Sequence, residues 1–354
     1  YLLTGLSRRR RLVSQEASVK YFLLGALSSA IFLYGIALVY GAAGSFQLGI
    51  IAQASMTQIS GSKIFAAGMI LLAVGLLFKV GAVPFHNWTP DVYTGAPSPV
   101  TAFMSIATKM VAVLGLMRVM YVALGAMRWD WQLLLAVVAV ASMAVGAIVG
   151  LSQTDMKRML AYSSIAHAGF IMVGVVGAYT LQTGQRPDQT GSVSSVLIYL
   201  AGYGLATIGF FMVILMVRKA GGESTEIDSW AGLGRRHPML GALIVLFMLS
   251  FAGIPATAGF TGKLFVFLAG WRGGYAWLVL LGVIFSLVAA YFYLHVIYVV
   301  FFKTPGEQAQ GVEVGDPSVG GWIVLVVCAL GTLILGLYPQ PIIEMVNHAS
   351  VFLR

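Results

Sequence analysis

Apolar residues run in long blocks along this chain, and polar residues gather between the blocks. A helix needs about 20 consecutive, mostly apolar residues to cross a bilayer. On that criterion the chain predicts nine spans, over 18–40, 64–85, 98–124, 133–151, 159–181, 193–217, 238–270, 275–302 and 320–343. Ahead of them, Tyr1–Leu6 is apolar up to the run Arg8–Arg11 and reads as the tail of a helix that begins upstream. The short alternating segments that build a membrane β-barrel are not seen. The fold class is all-α: a polytopic transmembrane helical protein.

Two of these spans are irregular. Segment 238–270 contains Gly253-Ile254-Pro255, then Gly259 and Gly262, and a proline inside a helix frees the carbonyl one turn back. It is expected to be a broken helix. Segment 64–85 gathers Lys79, Gly81 and Pro84 near its end, ahead of the polar stretch His86–Asp91, and is a second candidate for interruption. Paired Gly/Pro-interrupted spans point to an inverted-repeat transporter, although Gly and Pro are also common in ordinary transmembrane helices. The stretches Gly41–Gly61, 182–192, 218–237 and 303–319 read as polar connectors.

Of the 354 residues 59% are hydrophobic and 9% charged, against about 25% charged in soluble domains, so a soluble protein is excluded. Lysine and arginine number 21 against 12 acids, a formal charge of +9. In so apolar a chain that charge is explained by the membrane better than by nucleic acid. The single cysteine, Cys328, excludes disulfide scaffolds, zinc clusters and iron–sulfur ligation. Gly221-Gly222 follows no strand, so no phosphate loop is indicated. A cleaved signal peptide at Arg8–Arg11 does not fit the long apolar stretch that follows.

Cations in the loops set orientation. With Arg8–Arg11 inside, the same side carries Lys157, Arg158, Arg218, Lys219, Arg235, Arg236 and Lys303, whereas the other side carries only Lys63, Arg128, Arg186, Arg272 and Arg354. The first group marks the cytoplasmic side. Lys20, Lys79, Lys109, Arg118 and Lys263 remain inside the apolar segments.

A charged lysine at a helix centre costs roughly 2.5–3.5 kcal/mol, so Lys79, Lys109 and Lys263 need a reason to be there. Counting at 1.5 Å per residue places Lys79 roughly 10 Å and Lys109 roughly 16 Å from the inner ends of their spans, and Lys263 roughly 10 Å from an outer end. If these helices pack together, the three amines form a stepped path between the two sides. Every acidic residue falls in a loop or at a span edge, so the interior reads as bases without carboxylates. Lys20, four residues after Glu16, fits an interfacial ion pair or a snorkelling side chain. Arg118 fits a headgroup anchor. His86, His167 and His295 each admit a structural reading, and His86 and His167 equally admit a place in a proton path. Phe247, Met248 and Phe251 read as packing residues.

Longer motifs carry a resemblance. Phe78-Lys79-Val80-Gly81-Ala82-Val83-Pro84-Phe85-His86-Asn87-Trp88-Thr89-Pro90-Asp91-Val92-Tyr93-Thr94-Gly95-Ala96-Pro97, running on through Pro99-Val100-Thr101 to Lys109, resembles the antiporter-like membrane subunits of proton-pumping NADH:quinone oxidoreductase, respiratory complex I. Asp155–His167 resembles the segment these subunits share, and Ala252–Pro255 with Gly259–Lys263 resembles their second broken helix. Trp88–Tyr93 followed by Gly95-Ala96-Pro97 is similar to the subunit N family in particular.

The resemblance implies an inverted-repeat bundle with two broken helices: 1–124 as the end of the first repeat, 133–302 as the second, and 320–343 as a final helix. It implies proton translocation through a lysine chain. Lys79 would sit on the first broken helix, Lys109 on the connecting one, Lys263 at the terminus and Lys20 near the cytoplasmic end, with His167 in the relay. A carboxylate partner for Lys79 is expected upstream of Tyr1, and His295 stands where related sequences often have arginine. No cofactor or metal is expected in this chain; NADH, FMN, iron–sulfur clusters and quinone belong to other subunits. The expected neighbours are antiporter-like subunit M, small subunit K and the lipid bilayer, in a bacterial inner membrane. A subunit of a multisubunit cation/proton antiporter is the alternative, and a spacer with vestigial lysines a third reading.

Overall fold

The computed structural model describes residues 2–6, 12–57, 62–178 and 189–349. Arg8–Arg11, Arg186, Asp188 and Arg354, used above for orientation and charge, lie outside the described residues. The helices are α1 (Leu2–Leu6), α2 (Leu12–Ala43), α3 (Leu48–Thr57), α4 (Lys63–Val80), α5 (Trp88–Gly95), α6 (Ser98–Ala123), α7 (Arg128–Gly150), α8 (Met156–Val176), α9 (Gln189–Met216), α10 (Pro238–Ala252), α11 (Ala258–Arg272), α12 (Ala276–Phe301), α13 (Val319–Leu337) and α14 (Gln340–Ala349).

Caps explain several boundaries. Ser62 accepts the Phe65 N–H at the start of α4, Asp155 accepts the Arg158 N–H at 2.9 Å to start α8, and Ser318 does the same for α13. Asp155 thus moves the fifth expected span forward, from residue 159 to Met156. Pro238 opens α10, where its missing N–H is not needed.

Eight helices among the described residues are long and apolar enough to cross a membrane. The expected ninth span, 238–270, is two halves of 15 residues, α10 and α11. Each is roughly 22 Å long, short of the ~30 Å hydrocarbon core, so the halves span it only together. The expected 64–85 is likewise interrupted, with α4 ending at Val80 and the short α5 following the turn.

Both breaks use the same local chemistry. Gly81 (φ 77°) and Gly253 (φ 80°) end their helices in the left-handed region that a side chain disfavours. Gly81 donates its N–H to Leu77 and Phe78 carbonyls, and Gly253 to Leu249 and Ser250 carbonyls. A proline follows within three residues in each case, Pro84 and Pro255.

Four expectations are corrected. Gly41–Gly61 is not merely a connector, because α3 lies within it and buries Ile51, Ala54 and Ser55. Segment 320–343 is not one span: α13 stops at Leu337 and α14 restarts after Pro339. The connectors 218–237 and 303–319 are paired by a small antiparallel sheet of β1 (Val217–Lys219), β2 (Gly222–Glu223) and β3 (Glu313–Val314), in the order β2-β1-β3, so Gly221-Gly222 does follow a strand and turns the chain from β1 into β2.

The layers follow from exposure. Almost every side chain of α8 is buried, as expected for a helix apolar on all sides and surrounded by others. The outermost helices, α2, α12 and α13, present large apolar side chains such as Leu33, Leu287 and Ile334 outward. In a bilayer that face is satisfied by lipid or by neighbouring helices. The central α8 carries Ser163, Ser164 and His167, and so sets where polar chemistry is placed.

Candidate functional site

Lys109 starts the part of α6 that follows a π-helical segment, Met104–Thr108. A π turn holds an extra residue and re-aims the face that follows it. The side chain is 2% exposed, and its Nζ donates to both the carbonyl and the hydroxyl of Ser164 at 2.6 Å. The Ser164 hydroxyl also pairs with the Tyr93 hydroxyl at 3.2 Å, tying α5 to the site. Lys109 Nζ lies 5.3 Å from the ring centre of Tyr203.

His167 sits one turn beyond Ser164 on α8. Its Nδ1 is 2.6 Å from the Tyr199 hydroxyl, and its Nε2 is 3.3 Å from the Tyr293 hydroxyl, which pairs in turn with Ser163. The imidazole lies against Tyr203, centroids 4.6 Å apart, and meets Phe170 edge-on at 5.8 Å. Those rings are the ones over which Lys109 and Lys263 are placed. The histidine therefore stands between the two amines. A cavity of about 10 Å³ lies beside it, lined by Tyr199, Tyr203, Ser250 and the second break, which is close to the space one water needs.

Lys263, 6% exposed, lies on α11 and reaches back to the end of α10. Its Nζ donates to the Phe251 and Ala252 carbonyls, both at 2.9 Å, and to the Ser286 hydroxyl at 2.8 Å. The last carbonyls of a helix lack intrahelical partners and carry the negative end of its dipole, so a broken helix supplies a cation site ready-made. Gly253 is required there for space as well as conformation, since a Cβ would fall 2.8 Å from Lys263 Cδ. At the first break the Phe78 carbonyl, besides the Gly81 N–H, accepts the Trp88 indole N–H at 3.0 Å.

The remaining expected residues are placed differently. Lys79, in the last turn of α4, is half-buried with its Nζ 5.6 Å from the Phe78 ring centre. Lys20 is 43% exposed and pairs with Glu16 at 2.6 Å and Asp91 at 2.8 Å, Asp91 also meeting Arg158 at 3.6 Å. Arg118 is exposed, and His86 is half-buried in the first break. His295 is on the outer surface of α12, stacked between Tyr291 and Tyr298. Phe247, Met248 and Phe251 are buried packing residues.

The interior is not free of carboxylates, contrary to the sequence-based expectation. Lys157, assigned above to a cytoplasmic loop, is the second residue of α8 and 1% exposed. Its Nζ lies 3.4 Å from the carboxylate of Glu223, which is 5% exposed, and donates to the Ala96 carbonyl. Glu223 also accepts the Ser98 N–H that opens α6, at 3.2 Å. A sequence signal was available: Lys157, Ala161 and Ser164 fall at helical spacing on one face of α8. The hydroxyls of Ser164, Tyr199, Tyr293 and Ser286 were also missed, because such residues are common in membrane helices.

Comparison with known proteins places this arrangement in a family. A family model described as "NADH:quinone oxidoreductase/Mrp antiporter, TM" matches residues 1–289. The chain belongs to this family. As a member it is 71% identical over its whole length to the NADH-quinone oxidoreductase subunit N of Cutibacterium acnes, and 49% identical to that of Rhodococcus opacus. It spans 66% and 63% of the lengths of those relatives. Among solved structures, a chain of respiratory complex I from Thermus thermophilus is 34% identical, with a TM-score of 0.79 over 97% of this chain and 71% of that one. A chain of the Mrp complex from Dietzia sp. shares the fold, TM-score 0.81 at 20% identity over 97% of this chain and 68% of that one. The family member described here is thus a polytopic helical membrane protein with antiporter-like architecture.

Proposed function

We propose that the chain is part of a proton-translocating membrane subunit of an NADH:quinone oxidoreductase. The observation that carries this reading is the pair of buried amines. Among the described residues Lys109 and Lys263 are met only by carbonyls, a serine hydroxyl and an aromatic ring. An amine in such surroundings has no permanent counter-ion to hold its proton, so its charge responds to changes nearby.

In this mechanism a change in charge near Lys79 displaces a proton at Lys109. The proton passes through the hydroxyl and imidazole groups around His167 to Lys263, and from there to one aqueous side. Lys20, in its carboxylate cluster at the inner end, holds the entrance. The breaks bring polar backbone and room for water into the membrane's depth, which a dry helix bundle lacks. The energy comes from NADH oxidation and quinone reduction on other subunits, which hold NADH, FMN, iron–sulfur clusters and quinone; this chain holds no cofactor. Its two broken helices belong to two inverted repeats, 1–124 and 133–302, with 320–343 outside them. Its neighbours are antiporter-like subunit M and small subunit K in a bacterial inner membrane.

The Mrp likeness supports the fold equally well, but identity to the subunit N relatives is far higher. Copurification with flavin and iron–sulfur subunits decides between them. The reading itself is tested with Lys109→Met in the full-length protein within its complex. Proton pumping driven by NADH is expected to fall strongly at unchanged assembly, and normal pumping overturns the reading.

A further inference from the structure

Lys263 has three hydrogen-bond partners among the described residues, and they are chemically unequal. The Phe251 and Ala252 carbonyls only accept. The Ser286 hydroxyl accepts from the ammonium at 2.8 Å but also carries a proton of its own to give. An ammonium with three N–H groups satisfies all three partners. A neutral amine with two N–H groups still satisfies both carbonyls, and its lone pair then needs a donor, which Ser286 alone can supply.

Ser286 lies on α12, about 15 Å from the start of that helix. It is half-buried, and its neighbours in sequence Ile284 and Leu287 are exposed. Among the described hydrogen-bond partners of Lys263, whose own side chain is 6% exposed, Ser286 is the half-buried hydroxyl.

We infer that Ser286 is the proton-passing residue through which Lys263 exchanges its proton. The inference rests on the proposed lysine relay and adds a residue and an exit to it. In the outward step the Nζ–H bond of Lys263 breaks as a new Oγ–H bond forms on Ser286. The original Ser286 proton leaves to a water on the side away from Lys263, giving neutral Lys263, an unchanged serine and a hydronium ion. The new Oγ–H bond lies along the line to Lys263, so the serine is left donating to the neutral amine's lone pair. The inward step is the reverse. Acyl chains hold no water, so the outward step requires polypeptide rather than lipid against this flank of α12.

Thr and Val have the same shape and differ in the hydroxyl, so they isolate it. Ser286→Thr, Ser286→Val and Ser286→Ala are placed in the full-length protein, and NADH-driven proton uptake is measured in inverted membrane vesicles at matched amounts of assembled complex. Ser286→Thr is expected to stay close to the parent, while Ser286→Val and Ser286→Ala fall on the order of tenfold or more, the low end of what a placed proton-transfer group contributes. Equal pumping by Ser286→Val and Ser286→Thr overturns the inference. So does assembly of Ser286→Thr with failed assembly of both others, which makes the hydroxyl a folding contact. Lys109→Met is run alongside: if it pumps normally the lysine relay itself falls, and if it fails while Ser286→Val pumps normally only the role of Ser286 is lost.

Discussion

Replacing Lys157 by methionine removes the ammonium 3.4 Å from the carboxylate of Glu223, which is only 5% exposed. Breaking a buried pair from one side costs about 3–5 kcal/mol, whereas replacing both partners by groups of similar volume is close to neutral. Here the loss is compounded, because the Lys157 amine also holds the Ala96 carbonyl in the turn between α5 and α6. The double variant Lys157→Met with Glu223→Gln keeps an acceptor for the Ser98 N–H and neutralises the buried carboxylate. At roughly 2 °C per kcal/mol for a large domain, Lys157→Met lowers the thermal midpoint on the order of 6–10 °C. The double variant recovers most of that. The assay is thermal unfolding of the full-length protein in detergent, with all variants side by side. A double variant as unstable as the sum of its parts, or a single variant within about 1 kcal/mol of the parent, refutes the assignment of Lys157 and Glu223 as one buried pair.

Gly253→Ala forces a side chain into the left-handed region, at about 1–2 kcal/mol, and into the Lys263 side chain; a lower midpoint together with weaker NADH-driven pumping is expected, against an unaltered protein if the break is loose. Lys20→Ala removes two ion pairs of a lysine that is 43% exposed, so the thermal midpoint is expected to stay close to the parent's in the same unfolding assay, and a clear drop contradicts the surface reading of that cluster.

The sequence made the membrane spans legible because block length is set by bilayer thickness, a constraint that acts on every helix alike. Lys109 and Lys263 stood out for the same reason, since a lysine deep in an apolar block is costly wherever it faces. The second break was legible in Gly253-Ile254-Pro255, which cannot continue a helix. Lys157 was not read as a buried group, because it adjoins Arg158 at a span edge and only its helical spacing with Ala161 and Ser164 tells the two apart. Its burial depends on the segment around β2 folding back to bring Glu223 against α8, a contact between residues 66 apart in sequence. The hydroxyl partners are equally a product of packing: Ser286 meets Lys263 only because α12 lies beside α11. α3 escaped notice because at 10 residues it is too short for the criterion that found the others.

The central claim is that amines enclosed in the bundle carry protons. It is tested most directly by the number of protons moved per NADH oxidised in vesicles whose assembled complex carries Lys109→Met. Proton movement is expected to fall on the order of a hundredfold or to background, in line with loss of a placed proton-transfer group. A fully assembled variant that moves protons at the parent's ratio and rate contradicts it.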